Sequence, residues 1–152
     1  MKSLLLLSLG FLMIQCGTDQ GESIEYTYNI LNTSGKNVRL IPYVNGNKEL
    51  ENSITLPNSQ TFTKKYTYTP SGAAGFTMTG LFNKTAVGSI THIEVVFDNT
   101  KRVIYQECTE TNQCFNQPRN IFNPVYNDKE VETYTVTSED SQNATDCGGN
   151  CY

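Results

Sequence analysis

The chain has 152 residues and a mass of 17.0 kDa, which is room for one small domain. A formal net charge of −4, a pI near 4.9 and 17% charged residues exclude a basic nucleic-acid binder, because neutralising phosphates takes clustered Lys and Arg. At 38% hydrophobic and 11% aromatic the chain is too apolar for intrinsic disorder, and a mean hydropathy of −0.40 excludes a multi-span membrane protein.

Lys2 precedes an apolar run from Leu4 to Ile14 that only Ser8 and Gly10 interrupt. At 11 residues the run is short of the roughly 20 that a bilayer-spanning helix needs, and it has the length of the apolar part of a secretory signal. Cys16 follows, and then the polar stretch Gly17-Thr18-Asp19-Gln20-Gly21-Glu22-Ser23. A short signal ending in cysteine resembles the precursors of bacterial membrane lipoproteins. In that family the lipobox cysteine is acylated, with palmitate among the chains, and cleavage makes it the new N-terminus. Met13 and Gln15 stand where the family usually has Leu and a small residue.

The resemblance implies a lipoprotein signal peptide over 1–15, lipidation at Cys16 and a flexible lipid-anchored tether over 16–23. Gly17 is not the Asp that marks inner-membrane retention in the family, so the resemblance implies the outer membrane. Thr18-Asp19 has a faint likeness to the acidic surface-export tract of Bacteroidota lipoproteins, which leaves periplasmic and surface faces both open. Acyl chains contribute about 0.8 kcal/mol per buried CH2, and two or more hold a protein on a membrane. A buried thiol closing an apolar helix is the plainer but weaker reading of Cys16.

The body of the chain reads as strands, and its 19 Thr and 16 Asn favour strands and turns. Ile24, Tyr26, Tyr28 and Ile30 alternate with Glu25, Thr27 and Asn29, the period of a half-buried strand. Thr33-Ser34-Gly35 reads as a turn into a second β-prone run, Lys36 to Val44. Asn45-Gly46 is the strongest hairpin signal in the sequence. A short strand over 53–56 ends at Pro57-Asn58. Phe62, Tyr66 and Tyr68 share one face of 60–68, and Thr61, Thr63, Lys65 and Thr67 the other. Phe76, Met78 and Phe82 extend the alternation over 75–82, and Thr91, Ile93, Val95 and Phe97 over 89–97. Asp98-Asn99 turns the chain into 101–106, and Tyr134 and Val136 mark a strand over 131–137. Thr137-Ser138-Glu139-Asp140 has the hydroxyl cap and first-turn acids of a helix start, predicting one or two turns to about Thr145.

About eight such strands must close on themselves to bury one face. The expected fold is therefore all-β, an antiparallel β-sandwich with a short C-terminal helical turn, occupying 24–152 as a single domain. The exception to alternation is 107–130, which carries Pro118 and Pro124. Long loops of this kind are usually functional or disordered. Four cysteines beyond Cys16, namely Cys108, Cys114, Cys147 and Cys151, read as two disulfides in an exported protein, with three possible pairings. Local pairing closes loops of seven and five residues. A four-thiolate zinc site competes, but C-x5-C and C-x3-C depart from the usual C-x2-C.

Residues that could carry chemistry are sparse. His92 is the only histidine, which excludes multi-histidine metal sites. It lies out of phase with Ile93 and Val95, beside Glu94, and is expected to face solvent. No G-x-S-x-G turn accompanies it, and Ser71-Gly72-Ala73-Ala74-Gly75 lacks the Lys of a phosphate loop. Glu49, Glu51, Glu107 and Glu110 could supply paired carboxylates for hydrolysis, although solvated turns explain them more simply. The nine Tyr could form a platform for sugars or peptides, but core filling is the simpler account, and the chain has no Trp. Phe115, Arg119, Phe122 and Tyr126 on the irregular segment form a candidate contact surface, with a folded-back core under the loop as the competing reading. The sequence thus points to a cell-envelope lipoprotein acting as a non-catalytic binding or interaction module. An envelope hydrolase using Glu107 or Glu110 is the alternative. No cofactor or metal is implied. The expected partners are the membrane, through the lipid anchor, and an envelope protein or glycan.

Overall fold

The computed structural model describes residues 23–68, 76–83, 89–127 and 129–152. The expected signal peptide, Cys16, the tether as far as Glu22 and the Ser71–Gly75 turn lie outside the described residues. Within them the chain forms β1 (Ile24–Thr33), β2 (Val38–Val44), β3 (Asn47–Lys48), β4 (Ile54–Leu56), β5 (Thr61–Tyr68), β6 (Ile90–Phe97), β7 (Lys101–Gln106), β8 (Val131–Thr137), α1 (Ser138–Asn143) and β9 (Thr145–Asp146). These make an all-β sandwich of two sheets, in the orders β5-β1-β8 and β3-β2-β6-β7-β9. β4 pairs with the start of β2 as β3 pairs with its end.

Period-2 alternation sends one set of side chains between the sheets. Tyr28 and Ile30 of β1, Val38 and Leu40 of β2, Ile93, Val95 and Phe97 of β6, and Tyr134 and Val136 of β8 are all buried in one cluster. Burying a side chain of this size contributes about 1.5–3 kcal/mol, so this shared interior is what joins the two sheets. Asn32 continues the inward row of β1 and is buried without loss of hydrogen bonds. Its amide donates to the carbonyls of Lys36 and Leu56, each at 2.8 Å, and its carbonyl accepts from Ser34 Oγ at 2.7 Å. The hairpin at Asn45-Gly46 forms as expected, with φ of 50° and 81° at the two residues. Asp98 and Asn99 also take positive φ between β6 and β7.

Three features differ from the alternation pattern. The segment expected as a strand over 75–82 contains a 3-10 helix, Met78–Phe82, that buries Met78, Leu81 and Phe82. Its apolar residues serve spacings of three and four as well as two, and the helical choice places Leu81 inward too. Most pairs are antiparallel, but β8 lies parallel to β1, with Ile30 beside Tyr134. The chain leaves β1, forms β2 to β4 of the other sheet, returns to pair with β1 as β5, adds β6 and β7 to the other sheet, and comes back through 107–130 to the end at which β1 began. The helix ends at Asn143, before the expected Thr145, and Thr145 and Asp146 instead pair with Arg102 and Lys101 at the edge of β7.

Candidate functional site

The outer face of the larger sheet is where polar chemistry gathers. Register places Tyr43, His92 and Gln106 side by side across β2, β6 and β7, with Ile41, Glu94 and Ile104 in the next row. Glu94 is fully buried. Its Oε2 lies 2.8 Å from Lys48 Nζ and accepts from the Tyr43 hydroxyl at 2.8 Å, and its Oε1 lies 3.1 Å from Arg102 Nη1. Burial alone would raise this carboxyl, but hydrogen bonds from Lys48, Tyr43 and Arg102 outweigh it and hold the group below the usual carboxylate range. Burial, and then the bond to Glu94, push the Tyr43 phenol up to about 12.

The C-terminal segment seals one side of this face. Cys147 and Cys151 are disulfide-bonded, and Cys151 packs on Ile41 and Val96. Its carbonyl accepts from Lys48 Nζ at 2.6 Å. Tyr152 lies under the Arg39 guanidinium, 4.8 Å from ring centroid to cation. Glu94 shares the outward phase of β6 with His92, which the alternation was expected to turn to solvent. What covers it is Lys48, Arg102 and the Tyr43 hydroxyl, with Lys48 in turn held by the distant C-terminal segment, which no local pattern in β6 could announce.

Beyond Tyr43 the same face opens into a cavity of about 490 Å3, within the usual range of small-ligand sites. Tyr43, His92, Ile104, Gln106, Asn112 and Gln117 line it. The His92 ring sits edge-on to Tyr43 at 5.7 Å. Gln106 Nε2 is 3.3 Å from His92 Nε2, and His92 Nδ1 is 3.0 Å from Thr91 Oγ1. Thr91 Oγ1 also accepts the Gly46 N–H at 3.1 Å and donates to the Tyr43 carbonyl at 3.3 Å. With the ring proton on Nδ1, His92 donates to Thr91 Oγ1 and accepts a Gln106 amide N–H at Nε2.

The loop that supplies Asn112 and Gln117 is regular in its own way. The disulfide Cys108–Cys114 closes its first part, where Asn112 Nδ2 donates to the Glu107 carbonyl at 2.9 Å. Successive three-residue turns then run from Cys114 through Gln117, Asn120 and Asn123 to Tyr126, each N–H reaching back to the carbonyl before it. Asn120 and Asn123 are buried and hold these turns with their side chains. Asn120 Nδ2 also donates to the Gln106 carbonyl at 3.0 Å and to Gln117 Oε1 at 3.1 Å, tying the loop to β7.

The candidate contact residues are divided by this architecture. Phe115 is 70% exposed at the first turn of the series. Phe122 and Tyr126 pack against the main core, and the Tyr126 hydroxyl donates to the Pro118 carbonyl at 2.7 Å. Arg119 reaches Thr135 O at 2.7 Å with Nη2 and the Asp140 carboxylate with Nε at 2.8 Å and with Nη2. That bond to Asp140 raises the already high guanidinium pKa. Glu107 and Glu110 do not appear among the described residues lining the cavity. The four cysteines take the local pairing, and no cluster of three or more His, Cys, Asp or Glu among the described residues is placed to hold a metal. Sequence reasoning missed Gln106, Asn112 and Gln117, and the dense Asn and Gln between Gln106 and Asn127 were the available signal. Compared with family models, with curated proteins and with solved structures, the chain matches none.

Proposed function

We propose that the protein is a lipid-anchored binding module of the cell envelope, held by Cys16 and engaging its partner through the cavity beside His92. The observation that carries this reading is the cavity's lining of hydrogen-bonded amide side chains and His92 around exposed Ile104, a surface suited to holding a ligand. The lipoprotein-like signal supports the location. The geometry of the fold supports the arrangement. β1 starts at the end of the sandwich where β2 and β7 finish and β6 begins, so a tether leaving Ile24 would keep the cavity near the membrane surface.

Intact envelopes carrying the full-length protein offer the test. Crosslinking and affinity recovery should retain a partner with the wild type and lose at least nine-tenths of it with Ile104→Asp, which places a charge at the cavity wall. Cys16→Ser should leave the membrane fraction and cease to incorporate labelled palmitate. Equal recovery by wild type and Ile104→Asp would sink the binding role, and unchanged membrane partition of Cys16→Ser would sink the anchor.

A further inference from the structure

The internal network of the cavity determines which polar atoms remain available, and these define the ligand. Gln106 uses one amide N–H on His92, leaving the other N–H and its carbonyl oxygen. Asn112 uses one amide N–H on the Glu107 carbonyl, likewise leaving an N–H and an oxygen. Gln117 accepts from Asn120 at its oxygen, leaving an amide N–H2. Three uncharged amides that offer both acceptors and donors thus line a space whose apolar wall is Ile104, 44% exposed, beside the rings of Tyr43 and His92. Of the cations on this face, Lys48 and Arg102 are paired with Glu94 and Arg39 lies over the Tyr152 ring. No Lys, Arg, Asp or Glu is among the described lining residues to meet an ionic ligand.

From this donor and acceptor set, and resting on the binding role above, we infer that the cavity recognises a neutral carbohydrate. A hydroxyl both donates and accepts, so adjacent sugar hydroxyls can donate to Gln106 Oε1 and Asn112 Oδ1 and accept from Gln117 Nε2. The C–H face of the same ring covers Ile104 and the aromatic edge. An extended peptide matches less well, because it presents one N–H per residue and neighbouring N–H groups on a strand point to opposite sides. Hydroxyls on neighbouring ring carbons lie side by side, and each both donates and accepts, which suits a wall of amides.

The single histidine gives a site-specific reporter. Full-length mature protein in detergent micelles would be titrated with maltotriose, cellotriose and triacetylchitotriose, and in parallel with trialanine, trilysine and triglutamate, following the 15N-labelled His92 ring by NMR. At least one trisaccharide should move the ring signals saturably. Its affinity should fall about tenfold or more in Gln106→Ala and in Asn112→Ala, as expected for losing a hydrogen bond in a partly desolvated site. Retained amide dispersion would show that both variants are folded. A shift confined to one of the peptides would overturn the carbohydrate while leaving the binding role intact. Saccharide shifts of undiminished affinity in both variants would overturn it too. Silence with every saccharide would likewise overturn the carbohydrate, and if joined by equal envelope recovery by Ile104→Asp it would remove the binding role as well.

Discussion

Glu94 shows how a residue's neighbours in sequence can mislead about its neighbours in space. Between Ile93 and Val95 it belongs to the outward phase of β6, and outward on an isolated sheet means solvent. Here outward means beneath Lys48, Arg102 and the Tyr43 hydroxyl, with no side-chain exposure left. A buried carboxylate is tolerated only when its oxygens are engaged, and these are. Glu94→Gln keeps the shape but removes the charge from between two cations. The expected loss is about 2 kcal/mol of unfolding free energy, smaller than for a wholly buried pair because Lys48 and Arg102 reach solvent. The pH dependence has a definite sign. The folded carboxyl sits below its ordinary range, so its contribution is complete at neutral pH and disappears as pH falls through the folded value. Urea titrations across the acid range should therefore show the wild type losing its advantage over Glu94→Gln as the pH drops. A gap between them that stays constant on acidification would contradict this account.

Elements with alternation were legible: β1, β5, β6 and β8 lie where their periodicity put them, and β2 lies within the β-prone run from Lys36 to Val44. The 78–82 segment was not, since Met78 and Phe82 are four apart and fit a helical turn as well as a strand. The 107–130 segment was legible only as an exception. Its order comes from asparagine side chains closing consecutive turns, a pattern without a hydrophobic period. It is fastened at its middle by Arg119, which spans to the backbone of β8 and to Asp140 at the start of α1. Asp140 also accepts the Thr137 N–H at 2.7 Å, so one carboxylate caps the helix and holds the loop. Its side chain is only 4% exposed, and Arg119→Ala would leave it with a lost cationic partner. The expected cost is about 2–3 kcal/mol, read from the denaturant midpoint with the slope unchanged. The same variant should recover envelope partner as the wild type does, since Arg119 acts on the fold. Loss of recovery at unchanged stability would instead return Arg119 to a contact surface.

At the scale of the whole molecule the two disulfides differ in what they hold, although both are local. By loop entropy alone, closing seven residues at Cys108–Cys114 and five at Cys147–Cys151 contributes about 2 kcal/mol each, so the arithmetic makes them near equals. The contacts do not. Cys108–Cys114 closes a loop that the Asn120 and Asn123 side chains also anchor, to the Gln106 and Cys114 carbonyls. Cys147–Cys151 keeps the chain end on Ile41 and Val96 and keeps the Cys151 carbonyl on Lys48. Freeing that end would expose two buried aliphatic side chains and remove one partner of the cation that meets Glu94. The double variant Cys147→Ser/Cys151→Ser should therefore lose clearly more stability than Cys108→Ser/Cys114→Ser, by about 1–3 kcal/mol from the added apolar exposure. Equilibrium unfolding of both variants in urea tests the difference. Equal losses would mean that loop closure is the whole contribution and that the C-terminal strap does not support the face carrying the cavity.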